Sequence, residues 1–187
     1  AISCCVCILT TELLRYMEPL STDSSSSDTP ALVEVTLAIL YQDGQFLMQL
    51  RDDFPHIIFP GVWGFFGGHN EPGETPGVSV RRVLEEEIGY VPPVLQLFYD
   101  AADDKVHRYY YHGELTVPID ELQLNEGQDL ALCSVAEIRA GKKRSPKLNE
   151  VRSLGGPHQE ALLAFIESGL MNNASASASN SSSLENA

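Results

Sequence analysis

One segment restricts the possible folds more than any other: residues 67–90, GGHNEPGETPGVSVRRVLEEEIGY. Paired glycines end an apolar run, a loop rich in Gly and Glu follows, and a helix then begins at Thr75-Pro76. Threonine suits an N-cap and proline the first helical position. Val80, Leu84 and Ile88 recur at i, i+4 and i+8, a stripe that has to be buried. Gly89 stops the helix. Position 83 shares a different face with Glu86 and Glu87. Two adjacent carboxylates repel each other unless a cation lies between them. Mg²⁺ is commonly held by one or two carboxylates together with substrate phosphates. A run of glutamates on a helix is usually no more than a solvated face, so the spacing of the residues around it has to decide.

The rest of the chain supplies the frame. Residues 32–50 read as a β-hairpin, two apolar runs joined through Asp43-Gly44. Residues 62–66 are a short strand that runs into the glycines. Residues 94–99 and 106–115 read as strands on either side of a turn at 101–105. Helices are expected at 135–139 and 157–168, and the whole is an α/β domain. Residues 31–171 form that domain, long enough to bury a core without staples. Residues 1–30 are expected to be a disordered or non-native extension, with Met17 an alternative start. Residues 172–187 are expected to be a disordered low-complexity tail.

The chain has 12 Lys and Arg against 26 Asp and Glu, a net charge of −14. Coating duplex nucleic acid needs an excess of cations, so that class is excluded. No run approaches the ~18 apolar residues of a membrane span. The first ten residues lack the basic region and cleavage site of a secretory signal. Cys4, Cys5, Cys7 and Cys133 form no disulfide framework, which points to a reducing, cytoplasmic setting.

The spacing within 67–90 resembles the Nudix box, G-x5-E-x7-R-E-U-x-E-E-x-G-U, where U is a bulky apolar residue. Gly68, Glu74, Arg82, Leu84, Glu86, Glu87, Gly89 and Tyr90 occupy eight of its nine defined positions. Val83 replaces the glutamate that follows the arginine. The resemblance implies an α/β/α sandwich with a mixed central sheet. It also implies hydrolysis of a pyrophosphate bond in a nucleotide or nucleoside diphosphate derivative, with Mg²⁺ or Mn²⁺ as cofactor. Glu86 and Glu87 would ligate the metal with the Gly67 carbonyl, and a water of lowered pKa would attack phosphorus. Glu74 and Arg82 would be structural, and Arg51 would contact phosphate.

The missing acid at position 83 implies that catalysis draws on another carboxylate, or that the chain is a weakened nucleotide- or protein-binding module. Glu126 is the favoured replacement for both metal binding and catalysis. Glu85 is disfavoured because it is rotated about 200° around the helix from position 83, and Asp129 and Glu71 stay open. Trp63, Phe65, Phe66 and Cys133 read as core, and His69 as a surface residue or a phosphate contact. Alternation puts Tyr109 with Tyr111 on one face of a strand and Tyr110 with His112 on the other. Lys142-Lys143-Arg144 reads as a solvated basic patch. The resemblance also allows a homodimer.

Overall fold

The computed structural model describes residues 32–171. The N-terminal extension with Cys4, Cys5, Cys7 and Met17, and the tail 172–187, lie outside the described residues. Strands β1 (Val33–Gln42) and β2 (Gln45–Leu50) form the expected hairpin. Asp43 and Gly44 take φ values of 50° and 74° at the turn. Two positive φ values in a row are what a type I′ hairpin turn requires.

β1 and β2 pair at only three positions, from Leu40↔Leu47 to Gln42↔Gln45. Beyond these the two strands part. β3 (Trp63–Gly64) continues on β2, while β4 (Phe66–His69) continues on β1. The other edge of β1 runs parallel to β6 (Val106–Glu114), and β5 (Gln96–Ala102) lies outside β6. β7 (Asp129–Ser134) pairs antiparallel with β2. The sheet is therefore mixed and seven-stranded.

Helix α1 (Pro76–Ile88) covers one face. Its stripe of Val80, Leu84 and Ile88 packs with Ala38, Leu40, Leu47, Phe66 and Leu115. The short helix α2 (Val135–Ala140) and helix α3 (Gly156–Ser168) serve the other face. There Ile138, Ala161, Leu162 and Phe165 join Ile39, Tyr41, Phe46, Met48 and Trp63. Each large apolar side chain buried in this way is worth about 1.5–3 kcal/mol, which makes these two faces the main source of stability. The molecule is the α/β/α sandwich expected. Trp63, Phe65, Phe66 and Cys133 are buried core residues.

Several local expectations need correction. The single strand at 62–66 is two strands, because Phe65 leaves the ladder and its N–H donates to His158 Nδ1 at 3.3 Å. Thr75 stands at the N-cap of α1, but its side chain makes no capping bond. The 94–99 strand starts later and runs on to Ala102, so the turn shortens to 103–105. Strand β7 was not expected, because Asp129-Leu-Ala-Leu-Cys-Ser134 shows no apolar/polar alternation. Leu130 and Leu132 pack toward α1 while Ala131 and Cys133 pack toward α3, so both faces are covered.

The basic patch is not simply solvated either. Residues 142–144 form β8 (Lys142–Arg144), which pairs with β9 (Val151–Ser153). Lys143 is buried, its Nζ lies 3.1 Å from Glu137, and its carbonyl accepts from Trp63 Nε1 at 3.2 Å.

Gly67 is where the sheet tolerates least. A Cβ there would lie 2.3 Å from the Thr36 carbonyl oxygen and 2.7 Å from Leu37 Cδ2. Gly67→Ala would have to pry β4 from β1. The expected loss is about 2 kcal/mol or more, read as a lower urea midpoint at an unchanged m value.

Candidate functional site

The site forms where β1 and β2 part. Glu87 lies in the last turn of α1 and is buried, with its Oε2 accepting from the Gly67 N–H at 3.3 Å. Loop 123–128 docks onto the end of this helix. Gln123 N donates to Ile88 O at 3.1 Å, and Asn125 N to Glu87 O at 2.9 Å. Asn125 Nδ2 donates to Glu86 O at 2.8 Å. The last carbonyls of a helix have no partner within it, and this loop supplies them.

The same loop is fastened to β2. Gln49 Nε2 donates to Glu126 O at 3.0 Å, Gln128 N to Leu50 O at 2.8 Å, and Gln128 Nε2 to Arg51 O at 2.8 Å. Gly127 permits this fit, since its φ is 90° and a Cβ would lie 2.8 Å from Leu50 O. Only glycine adopts such a conformation freely.

Glu126 is thereby held close enough for its charge to act on Glu87. Burial first, and then Glu126, push the Glu87 carboxyl up to about 8, against the Gly67 N–H and Arg51, which favour ionisation. Burial raises Glu126 as well, and Arg51 opposes that shift. Arg51 therefore faces both acids. Its Nε donates to Ile58 O at 3.1 Å.

The other box residues are arranged differently. Arg82 donates from Nε and Nη2 to the two oxygens of Glu74, both at 2.9 Å, and from Nη2 to His69 O at 3.2 Å. The bond to Arg82 is the main reason the Glu74 carboxyl falls to about 2. Glu86 is exposed and bound to Arg82 Nη1 at 3.1 Å. Its charge is the smallest of the effects that raise Glu87. Glu71 lies 4.0 Å from Arg82, and Glu85 is exposed.

Asp129 is buried but committed elsewhere, accepting from Ser145 Oγ at 2.5 Å and Lys147 N at 3.1 Å. That removes it as a replacement acid. Val83 is buried, with a methyl 3.2 Å from where a Cβ on Gly68 would stand. Gly89 closes α1 with φ 64° and donates to Glu85 O.

Tyr109 donates to Glu34 at 2.9 Å and stacks on His107, which reaches Asp100 at 2.6 Å. The strand faces are those expected: Tyr111 packs on the α1 side, and Tyr110 on the α3 side. His69 is exposed.

Among the described residues, no three His, Cys, Asp or Glu side chains gather as a ready-made metal cage. The loop and the helix end bring together a pair of candidate donors, Glu87 and Glu126. The pair is nonetheless a fit for a hard divalent cation. Both ligands are oxygens, and a buried anion facing a second anion is relieved by a cation. One or two protein carboxylates suffice for Mg²⁺ when substrate phosphates complete the shell.

His158 is the neighbour that sequence reasoning missed. It follows Gly155-Gly156-Pro157 at the start of α3, where no spacing marks it as part of a site. Its ring is buried beside Arg51. Burial, then the Arg51 charge, push it down to about 4.

Comparison with known proteins agrees with this fold. The NUDIX domain family model matches residues 31–152, and the chain belongs to that family. The nucleoside triphosphatase NudI of Escherichia coli (strain K12 / DH10B) is 36% identical over 56 residues. That match covers 29% of this chain and 38% of NudI, so it spans well under half of the relative. The NUDIX domain of Shewanella oneidensis NrtR, solved complexed with ADP ribose, superimposes with a TM-score of 0.56. It is 20% identical, over 74% of this chain and 88% of that one. A MutT protein from Methanosarcina mazei Go1 gives 0.56 at 18% identity, over 74% and 95%. Likeness at this level shows the shared fold. No helix among the described residues is long and apolar enough to cross a membrane.

The titrations predict a stability profile for metal-free protein. His158 is lowered in the fold, so its contribution is complete above about pH 6.5 and is lost as pH falls toward 4. Glu87 is raised in the fold, so its contribution is complete below about pH 4.5 and is lost as pH climbs through about 8. Thermal denaturation followed by circular dichroism should show a broad maximum between about pH 4.5 and 6.5, where the two opposing slopes cancel, with stability falling on either side. His158→Phe makes the acid limb shallower and Glu87→Gln the alkaline limb. Added Mg²⁺ lifts the alkaline limb alone.

Proposed function

We propose that the protein hydrolyses a pyrophosphate bond in a nucleotide or nucleoside diphosphate derivative, using Mg²⁺ or Mn²⁺. The observation that carries this reading is the buried Glu87 at the end of α1, with loop 123–128 hydrogen-bonded to that helix end and to β2 so that the Glu126 charge acts on it. Glu87 and Glu126 would hold the cation, with Glu86 joining on release from Arg82. Bound there, a divalent cation supplies charge neutralisation and a more acidic water. Arg51 offers its terminal amino groups to a phosphate, where negative charge grows in the transition state. Glu126 accepts the proton of the attacking water, in place of the acid absent at position 83.

The names of the relatives suggest where to look for substrates. NudI is described as a nucleoside triphosphatase, and the NrtR domain was crystallised with ADP ribose. Both compound types belong in the first panel, beside sugar nucleotides and dinucleotides. A cytoplasmic setting suits the free, buried thiol of Cys133. A second reading, a nucleotide-binding module, draws on Val83 and on the engagement of Glu86 by Arg82.

Release of phosphate or nucleotide, with and without Mg²⁺ or Mn²⁺, separates the two readings. The hydrolase reading expects metal-dependent turnover of at least one compound. Silence across the panel with nucleotide binding intact would leave the binding module. Within an active protein, Glu87→Gln abolishes turnover, and Glu126→Gln lowers kcat by roughly 10²-fold or more, the usual weight of a general base. Val83→Glu brings no gain, because the base is already present. A Glu126→Gln variant with full kcat, or a large gain from Val83→Glu, would move the base off the 123–128 loop.

A further inference from the structure

His158 lies outside the residues matched by the family model, on the helix that packs against the opposite face of the sheet from α1. Its ring is only 9% exposed. Nδ1 accepts from the Phe65 N–H at 3.3 Å. A neutral imidazole that accepts at one nitrogen carries its proton on the other, so Nε2 is a donor. Among the described residues Nε2 has no acceptor. The fully enclosed unpaired side-chain atoms there are Asn70 Oδ1 and His112 Nδ1, so Nε2 still opens on solvent. An N–H that no protein group engages and that opens on solvent is free to donate to a ligand.

Its surroundings say what it waits for. A Cβ on Gly64 would lie 3.2 Å from Nε2 and 3.5 Å from Arg51 Cδ. The imidazole and the arginine stem therefore converge over one glycine. Phe59 and Phe65 wall the ring, both near perpendicular to it, at centroid distances of 6.1 and 5.0 Å. Arg51 has its Nε committed to Ile58 O, and its terminal amino groups have no partner among the described residues. Its charge acts on Glu87, Glu126 and His158 alike.

We propose that His158 Nε2–H and the Arg51 guanidinium together form an oxyanion site for a phosphate group of the substrate. His158 is then a binding residue contributed by α3. Because the ring is neutral, it adds a directed donor to the arginine without a second positive charge. A second cation there would repel Arg51. The inference rests on the hydrolase reading for the identity of the substrate but not for the existence of the anion site.

The test uses inorganic pyrophosphate with Mg²⁺ as the probe, its binding measured by calorimetry on full-length wild type, His158→Phe and His158→Gln. The same proteins are assayed on the nucleotide panel. His158→Phe keeps an aromatic ring between Phe59 and Phe65 but removes the donor. It should weaken pyrophosphate binding about tenfold or more, as expected for a lost hydrogen bond to a charged acceptor. For any compound turned over, KM should rise by a similar factor with kcat within a few-fold. His158→Gln, which retains an N–H in that position, should recover part of the loss. On wild type, the ¹⁵N resonance of His158 Nε2 should report the protonated nitrogen and shift when pyrophosphate is added, which keeps the test decisive if a variant fails to fold.

Binding that depends on His158 without turnover of any compound supports the anion site and overturns the hydrolase reading. Turnover and pyrophosphate binding unchanged in His158→Phe, with no movement of the Nε2 resonance, overturn the anion site and leave the hydrolase. A wild type that neither binds pyrophosphate nor turns over the panel overturns both.

Discussion

The structure turns on a buried carboxylate. Glu87 sits in the seam between helix α1 and the point where β1 and β2 separate, with one backbone N–H, from Gly67, bound to it. Burying an anion is expensive unless something compensates for it. Three features follow from that cost. Residue 67 has no side chain, so the β4 backbone can reach the carboxylate while it stays paired to β1. Arg51 is brought in from the end of β2. Loop 123–128 is drawn over the helix end, where it pairs the terminal carbonyls and at the same time adds a second anion. On the proposed hydrolase reading, a bound cation would balance that second anion.

Val83 fits the same logic. At i−4 from Glu87, position 83 is its neighbour on the helix. An acid there would put another negative charge beside a group that already resists ionisation. The chain instead has two methyl groups packed under Gly68, and the second acid arrives from the loop. A loop residue held by Gln49, Asn125 and Gly127 can be moved or released without melting the helix, which a residue inside α1 cannot.

Much of this was legible in the sequence, and the exceptions share a cause. The hairpin, α1, its buried stripe and the sandwich follow from local signals: Asp-Gly between apolar runs, and apolar spacing of four closed by glycine. Glu126 could be nominated only through the resemblance of its loop, since nothing local marks it. Strand β7 was missed because both of its faces are covered and the period of two disappears. Lys143 was taken for a solvated residue because composition cannot reveal a β8–β9 pair that turns its backbone toward Trp63. His158 was invisible for a similar reason. Its role depends on Phe65 leaving the ladder and on Gly64 making room, two facts that exist only once α3 is packed.

Arg82 shows how one residue can serve both the scaffold and the site. Its bonds to Glu74 are two, parallel and poorly accessible on the carboxylate side, the arrangement in which an arginine–carboxylate pair is strongest. Those bonds, with the one to the His69 carbonyl, tie the loop ahead of α1 to the helix. The bond to Glu86 is of another kind: single, at the surface, with the Glu86 side chain 60% exposed. Such a pair is worth about 0.5 kcal/mol or less. Glu86 can therefore leave Arg82 at almost no cost, while Glu74 cannot. The difference between the two bonds separates a fixed part of the box from a movable one.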